Sequence, residues 1–259
     1  MISLPLAMAL AAAVLSTSFV SGIFGMAGGM ILMGILLAMM PLAAAMVLHG
    51  LTQMASNGWR AWLWRAHIRW PVVATCAIGA VAAAIALTAA SIPLSKPATL
   101  IVLGLMSFTG LLLPSWLAPN IVRRGDAIGC GALCTVLQLV SGVSGPIFDV
   151  FFVRSELDRK EVVATKAAIQ LLGHFLKVVY FGQLLAGGDV TIAPLAVALA
   201  VLLAPIGTQL SKCVLDAISD AQFRSWTRSL IAVIASIYLA QGLLLLFGQG
   251  TGGGVFTFS

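Results

Sequence analysis

Gly22-Ile23-Phe24-Gly25-Met26-Ala27-Gly28-Gly29 places four glycines in eight residues of an otherwise apolar stretch. Glycine costs about 1 kcal/mol against alanine inside a helix, so a helix reaching this point weakens and must restart. A second cluster, Gly142-Val143-Ser144-Gly145-Pro146, occurs in the other half of the chain. Each cluster leads into a short apolar segment, at about 28–40 and 145–153. Working outward, further apolar segments lie at 4–22, 42–64, 70–90 and 97–117, and then at 127–143, 160–184, 191–211 and 226–247. Most approach the roughly 20 residues that cross a bilayer.

The composition fits that reading. Of 259 residues 61% are hydrophobic and only 8% charged, with a mean hydropathy of +1.09. Soluble domains carry about 25% charged residues, so lipid is the natural solvent for this chain. The net charge of +6 and pI near 9.6 do not point to nucleic acid, because no basic run or aromatic–basic module accompanies them. Met1 to Gly22 lacks a positive n-region and reads as an uncleaved first helix. The fold expected is an all-α polytopic membrane protein.

The clusters also mark an internal repeat. Ser21-Gly22-Ile23-Phe24-Gly25 aligns with Ser141-Gly142-Val143-Ser144-Gly145. On the following long helices, aligning Gln53 with Gln170 pairs His49 with Lys166, Asn57 with His174 and Arg60 with Lys177. The domains expected are a first membrane repeat (1–118), a connector (119–126), a second repeat (127–247) and a flexible tail (248–259).

Basic residues orient the halves. If all five segments of each half cross, Arg60, Arg65, Arg69, Arg123, Arg124, Arg154, Arg159, Lys160, Lys212, Arg224 and Arg228 fall at one face, eleven of the fourteen Lys and Arg. Lys96 falls opposite, and Lys166 and Lys177 lie within a segment. If the short segments returned to the side they start from, the eleven would split five against six. The first arrangement obeys the positive-inside rule, and five crossings per half invert the second repeat. The basic face is then cytoplasmic and both termini periplasmic, in a bacterial inner membrane.

Broken helices at matching places in inverted halves are the sequence pointer to a transporter site, since each restart aims free N–H groups and a positive dipole end at the cavity. Close helix packing through small residues is the competing explanation. The long helices add a polar stripe. His49, Gln53, Ser56/Asn57 and Arg60 share one helix face, as do Lys166, Gln170, His174 and Lys177. These groups are cationic or neutral donors, which suits an anion with oxygen acceptors. Arg60 lies near a helix end and is expected to snorkel to the interface, and Lys177 is open to the same reading. For His174 an interhelical hydrogen bond competes with a substrate role.

Asp149, four residues after Gly145, is an acid inside a spanning element. It is a proton-coupling candidate together with His49, and pairing with Lys166 or Lys177 is the alternative. Cys76, Cys130, Cys134 and Cys213 lie in or beside apolar segments and read as buried thiols. No metal site or other cofactor is expected. Trp59, Trp62, Trp64 and Trp70 flank a basic loop as an interfacial belt. The glycine-rich tail lacks the Lys-Ser/Thr of a P-loop, and no nucleophile–base pair, HExxH helix or dinucleotide fingerprint occurs, so no enzyme is expected.

The first glycine cluster, the apolar run to Pro41 and the helix ending Trp59–Arg65 before Ile68-Arg69-Trp70 resemble the TauE/SafE sulfite exporter family. Gly142–Pro146 resembles that family's second glycine motif. Ala27 stands where the family commonly has glycine, and Pro146 replaces part of the second glycine run. The motif matches are Gly25, Gly28, Gly29, Gly142 and Gly145. The resemblance implies a transporter of sulfite, organosulfonates or related small acids. With the polar stripes, the expected substrate-binding set is Gly25, Gly28, Gly29, His49, Gln53, Asn57, Gly142, Gly145, Lys166, Gln170 and His174, with half-helix N-termini after Gly29 and Gly145. Partners expected are a small inorganic or organic anion and the lipid bilayer, with no nucleic acid; the sequence admits a homo-oligomer without specifying one. The alternative function is a non-transporting membrane assembly or partner-binding subunit.

Overall fold

A computed structural model describes residues 3–90, 95–188, 191–211, 214 and 220–248. The tail from Gln249 onward, Asp189, Lys212 and Cys213 lie outside the described residues. Ten helices and no strand are found among the described residues: α1 (Leu4–Phe24), α2 (Met26–Met39), α3 (Leu42–Leu63), α4 (Trp70–Ala90), α5 (Lys96–Leu112), α6 (Arg124–Ser141), α7 (Gly145–Phe152), α8 (Arg159–Ala186), α9 (Pro194–Leu210) and α10 (Asp220–Gly248). Two differences from the sequence reading matter. Helix α2 restarts at Met26, so Gly28 and Gly29 belong to its first turn rather than to unwound backbone. Helix α5 ends at Leu112, because Pro114 follows and the chain turns through a short 3-10 stretch, Ser115–Leu117.

Among the described residues, four helices, α1, α4, α8 and the Arg228–Phe247 part of α10, are long and apolar enough to cross a membrane. Helices α2 and α7 have 14 and 8 residues. At 1.5 Å per residue they reach about 21 and 12 Å, short of a hydrocarbon core of about 30 Å.

The short helices fold back on their predecessors. A Cβ on Gly28 would lie 2.0 Å from the Thr17 carbonyl oxygen and 2.4 Å from the Ser21 nitrogen, so α2 runs down the side of α1 as a hairpin. The Ile121 N–H donates to the Phe151 carbonyl (2.9 Å), joining the start of α6 to the end of α7 in a second hairpin. Helix α5 relates the two. Lys96 at its start donates to Leu37 O near the end of α2 (3.0 Å), whereas Arg154, just past α7, donates to Trp116 and Ala118 beyond its end. The hairpins therefore open toward opposite ends of α5.

Helices α3 and α8 pack antiparallel between them. Gly50 faces Val178, Gly58 faces Leu171, and Arg69 beyond α3 binds Thr165 and Glu161 near the start of α8. Helices α5 and α10 are likewise antiparallel, with Gly104 against Leu239 and Gly242 against Ile101. Helices α1 and α9 run parallel, Leu15 lying by Gly207 and Gly22 by Ser211. Glycines make these approaches close. Gly79 of α4 and Gly131 of α6 each leave a Cβ position about 2 Å from a carbonyl oxygen of the other helix. Leu32, Met33, Leu36, Met46, Leu48 and Phe148 fill the centre, all at most 1% exposed.

Two charged loops meet as well. Glu161 pairs with Arg69, and Lys160 lies 5.6 Å over the Trp64 ring, so the Arg65–Arg69 and Asp158–Glu161 segments share one end of the molecule. Trp62 and Trp70 are exposed there, with the Arg65 guanidinium 4.5 Å over Trp62. This is the aromatic and cationic edge that a membrane interface favours.

Candidate functional site

Each break is set by one glycine whose φ a side chain would resist. Gly25 takes φ 69° and ψ −104°, and Gly142 takes φ 82° and ψ −15°. A serine in the last turn of the incoming helix secures each one. Ser21 Oγ donates to Gly25 O (2.5 Å), and Ser141 Oγ donates to Val143 O (2.9 Å). Serine 21 and serine 141 are the aligned pair, but the positive φ falls at Gly25 in one half and Gly142 in the other. The break is one residue, Gly25, in the first half and three, Gly142 to Ser144, in the second.

Neither restart has a side-chain cap. Gly25 at the N-cap of α2 has no side chain to offer. Ser144 at the N-cap of α7 is a residue type that usually bonds the free N–H groups of the first turn. Here its hydroxyl donates instead to Gln138 Oε1 (3.0 Å). The two uncapped termini touch: a Cβ on Gly145 would fall 2.3 Å from that of Met26.

A small cavity lies at this junction, with room for about one water molecule. The hairpin tips contribute Ser21, Gly25, Met26 and Gly29 from one side and Val143, Ser144 and Gly145 from the other. Helix α3 lines it with His49, Gln53, Asn57 and Arg60, and α8 with Gln170 and His174. None of the lining residues is a carboxylate. Free N–H groups, amides, imidazoles and a guanidinium together make a surface that donates hydrogen bonds, which matches oxygen acceptors.

Most of the residues expected from sequence converge here, and the exceptions are specific. Gly28 is spent on the α1–α2 contact, and Gly142 stands behind the lining. Lys166 turns away and forms an ion pair with Asp149, with side chains 23% and 36% exposed. Pairing of Asp149 with Lys166, one of the two readings of this acid, is therefore present. The helix that restarts after the first glycine cluster begins after Gly25, not Gly29.

Two expectations about cations are corrected. Arg60 does not reach outward; its Nη2 donates to Ser21 O (3.2 Å), capping the carbonyl end of α1, and the side chain lines the cavity. Lys177 is fully buried, donating to Gly142 O (2.9 Å) at the carbonyl end of α6 and contacting His49 Nδ1 (2.7 Å). The two aligned cations thus do the same thing in each half. His49 Nε2 lies 2.9 Å from Gly29 O. A carbonyl accepts only, so Nε2 carries the proton and Nδ1 is left to accept from Lys177. His174 packs its ring 5.6 Å from that of His49, and its Nδ1 is buried without a hydrogen-bond partner.

Sequence reasoning passed over Gln138, which holds Ser144 and keeps an unpartnered amide nitrogen. Its alignment with Ser18, three residues before Ser21, was the available signal. Ser18 is also buried with an unpartnered hydroxyl. Cys76 joins Cys130 and Cys134 at the α4–α6 contact, all three buried. Among the described residues, no group of three or more His, Cys, Asp or Glu side chains is disposed to hold a metal ion.

The family model for the sulfite exporter TauE/SafE matches residues 9–239, from the first turns of α1 into α10. The chain belongs to the sulfite exporter TauE/SafE family. It is a multi-pass membrane protein of an anion-exporter family, and the family's transporters are not enzymes. The TauE/SafE match spans both hairpins, both long polar helices and the cavity between them. Searches of curated proteins and of solved structures found no match.

Proposed function

We propose that this protein is a secondary transporter that moves a small oxyanion, sulfite or an organosulfonate, by alternating access. The observation that carries the proposal is the abutment of two uncapped half-helix N-termini at a cavity lined without carboxylates. Helix N-termini concentrate positive potential and unsatisfied N–H groups, and two of them facing one point favour an anion there. Gln53, Asn57 and Gln170 supply neutral donors around it, and Arg60 supplies a charge.

The inverted-repeat reading supports the same mechanism. Helices α3 and α8 run antiparallel, as do α5 and α10, while α1 runs parallel to α9. That combination follows from five segments per repeat with the second repeat turned over. Two hairpins opening to opposite faces and meeting tip to tip form a thin barrier, which rocking of one repeat against the other can open on either side. The junction has room for about one water molecule, so the hairpin tips must part to admit an anion. The basic end carrying Arg65, Arg69, Arg154 and Lys160 is assigned to the cytoplasm of a bacterial inner membrane, with both termini periplasmic.

Uptake of radiolabelled sulfite and a panel of sulfonates and carboxylates into proteoliposomes tests the proposal. Saturable flux of at least one anion, lost on Arg60→Met, is expected. Absence of flux for every small anion would leave the chain as a non-transporting membrane subunit.

A further inference from the structure

Lys177 is the unusual group in this molecule. It is 0% exposed, yet its ammonium has only a carbonyl oxygen, Gly142 O, and an imidazole nitrogen, His49 Nδ1, within bonding distance. A buried cation with no counter-charge is costly, and the carbonyl end of α6 offsets only part of that cost. From α3 it faces His49, with Arg60 three turns further on. Its own helix offers His174, one turn back, and no acid nearby. Helix α4 presents no carboxylate, and on α6 Asp126 is engaged at the far end by the Asn120 N–H. On α7, Asp149 is committed to Lys166. The negative charge that would balance Lys177 is absent from the described protein.

We infer that Lys177 and His49 together hold the one proton that accompanies each transported anion. This rests on the anion-transport reading above and extends it to the coupling. The contact at 2.7 Å allows the proton to pass from Lys177 Nζ to His49 Nδ1, breaking one N–H bond and forming another. The result is a neutral amine and an imidazolium. His49 lines the cavity and Lys177 does not, so the transfer brings the positive charge to the anion. Gly29 O keeps the Nε2–H in place throughout. Proton and anion stabilise one another and cross as a neutral pair.

Calorimetry of the purified full-length protein in detergent tests this with sulfite and with methanesulfonate, whose charge is independent of pH. Titrations in buffers of different ionisation enthalpy report proton uptake. The wild type is expected to take up about one proton for each methanesulfonate bound. Lys177→Met removes one of the two groups that hold the proton and Lys177→Arg fixes a charge beside His49; proton uptake is expected to fall in the first and to be absent in the second. The second variant keeps the test valid where the first does not fold. Wild-type binding without proton uptake, or undiminished uptake in Lys177→Arg, overturns the coupling assignment while leaving the transporter reading intact. Failure of the wild type to bind either anion overturns both.

Discussion

Met26 and Gly145, the first residues of two helices that start more than a hundred positions apart, stand so close that a β-carbon on Gly145 would lie 2.3 Å from that of Met26. Helix starts repel through their dipoles when set end to end. The contact is maintained because each hairpin is anchored behind its tip, by Gly28 on α1 and by Ile121 on Phe151. Gly145→Ala should force the tips apart, at about 1–3 kcal/mol for an overpacked contact. Anion flux should fall by more than tenfold, and Met26→Gly in the same chain should restore most of it. A Gly145→Ala variant with normal flux would remove the junction from the transport path.

Gln53 and Gln170 are the aligned amides that line the cavity from α3 and α8. If the cavity opens to water during a transport cycle, Gln53→Cys and Gln170→Cys should each react with a membrane-impermeant thiol reagent. The rates should fall when a transported anion saturates the site. The three described native cysteines are buried and should contribute little background. Thiols that never react would describe a sealed bundle, the structural alternative to a transporter.

The Asp149–Lys166 pair offers a contrast. Its side chains pair with each other and lie outside the cavity lining. Asp149→Asn with Lys166→Met should leave anion flux within about threefold of wild type, as for other substitutions away from a site. A loss comparable to that of Arg60→Met would show that Asp149 takes part in transport.

The start of α8 should be sensitive to acid. Asp158 caps it, accepting from the Lys160 and Glu161 N–H groups while Glu161 returns a bond to the Asp158 N–H. The Glu161 N–H holds the Asp158 carboxyl below its usual range. A carboxyl depressed in the folded state stabilises above its unfolded pKa, and that contribution is lost as pH falls through the lower, folded value. Amide exchange at residues 159–163 should therefore quicken on acidification, and Asp158→Ala should be fast at neutral pH too.

The site was partly legible in the sequence because broken helices and polar stripes are local patterns. Gln53, Asn57, Gln170 and His174 reach the cavity as their helical spacing required, since residues at such spacing share a face whatever the face meets. The directions taken by long cations were not legible. Arg60 and Lys177 lie on those stripes, but a flexible side chain turns toward whatever acceptor the neighbouring element presents. For both, that acceptor is a carbonyl at the end of the preceding broken helix. Lys166, aligned with His49, instead found Asp149. Gln138 was missed because an isolated glutamine on an apolar helix acquires meaning only when Ser144 is brought back against it.

Sequence alone determined the solvent, the helical class, the two breaks and the family, because each rests on composition or short-range periodicity. Tertiary structure decided that the breaks are hairpin tips, that the tips meet, and that a buried lysine stands behind the junction without an acid. Those are relations between segments far apart in the chain. They are set by which glycines allow which helices to approach, and no local pattern encodes that.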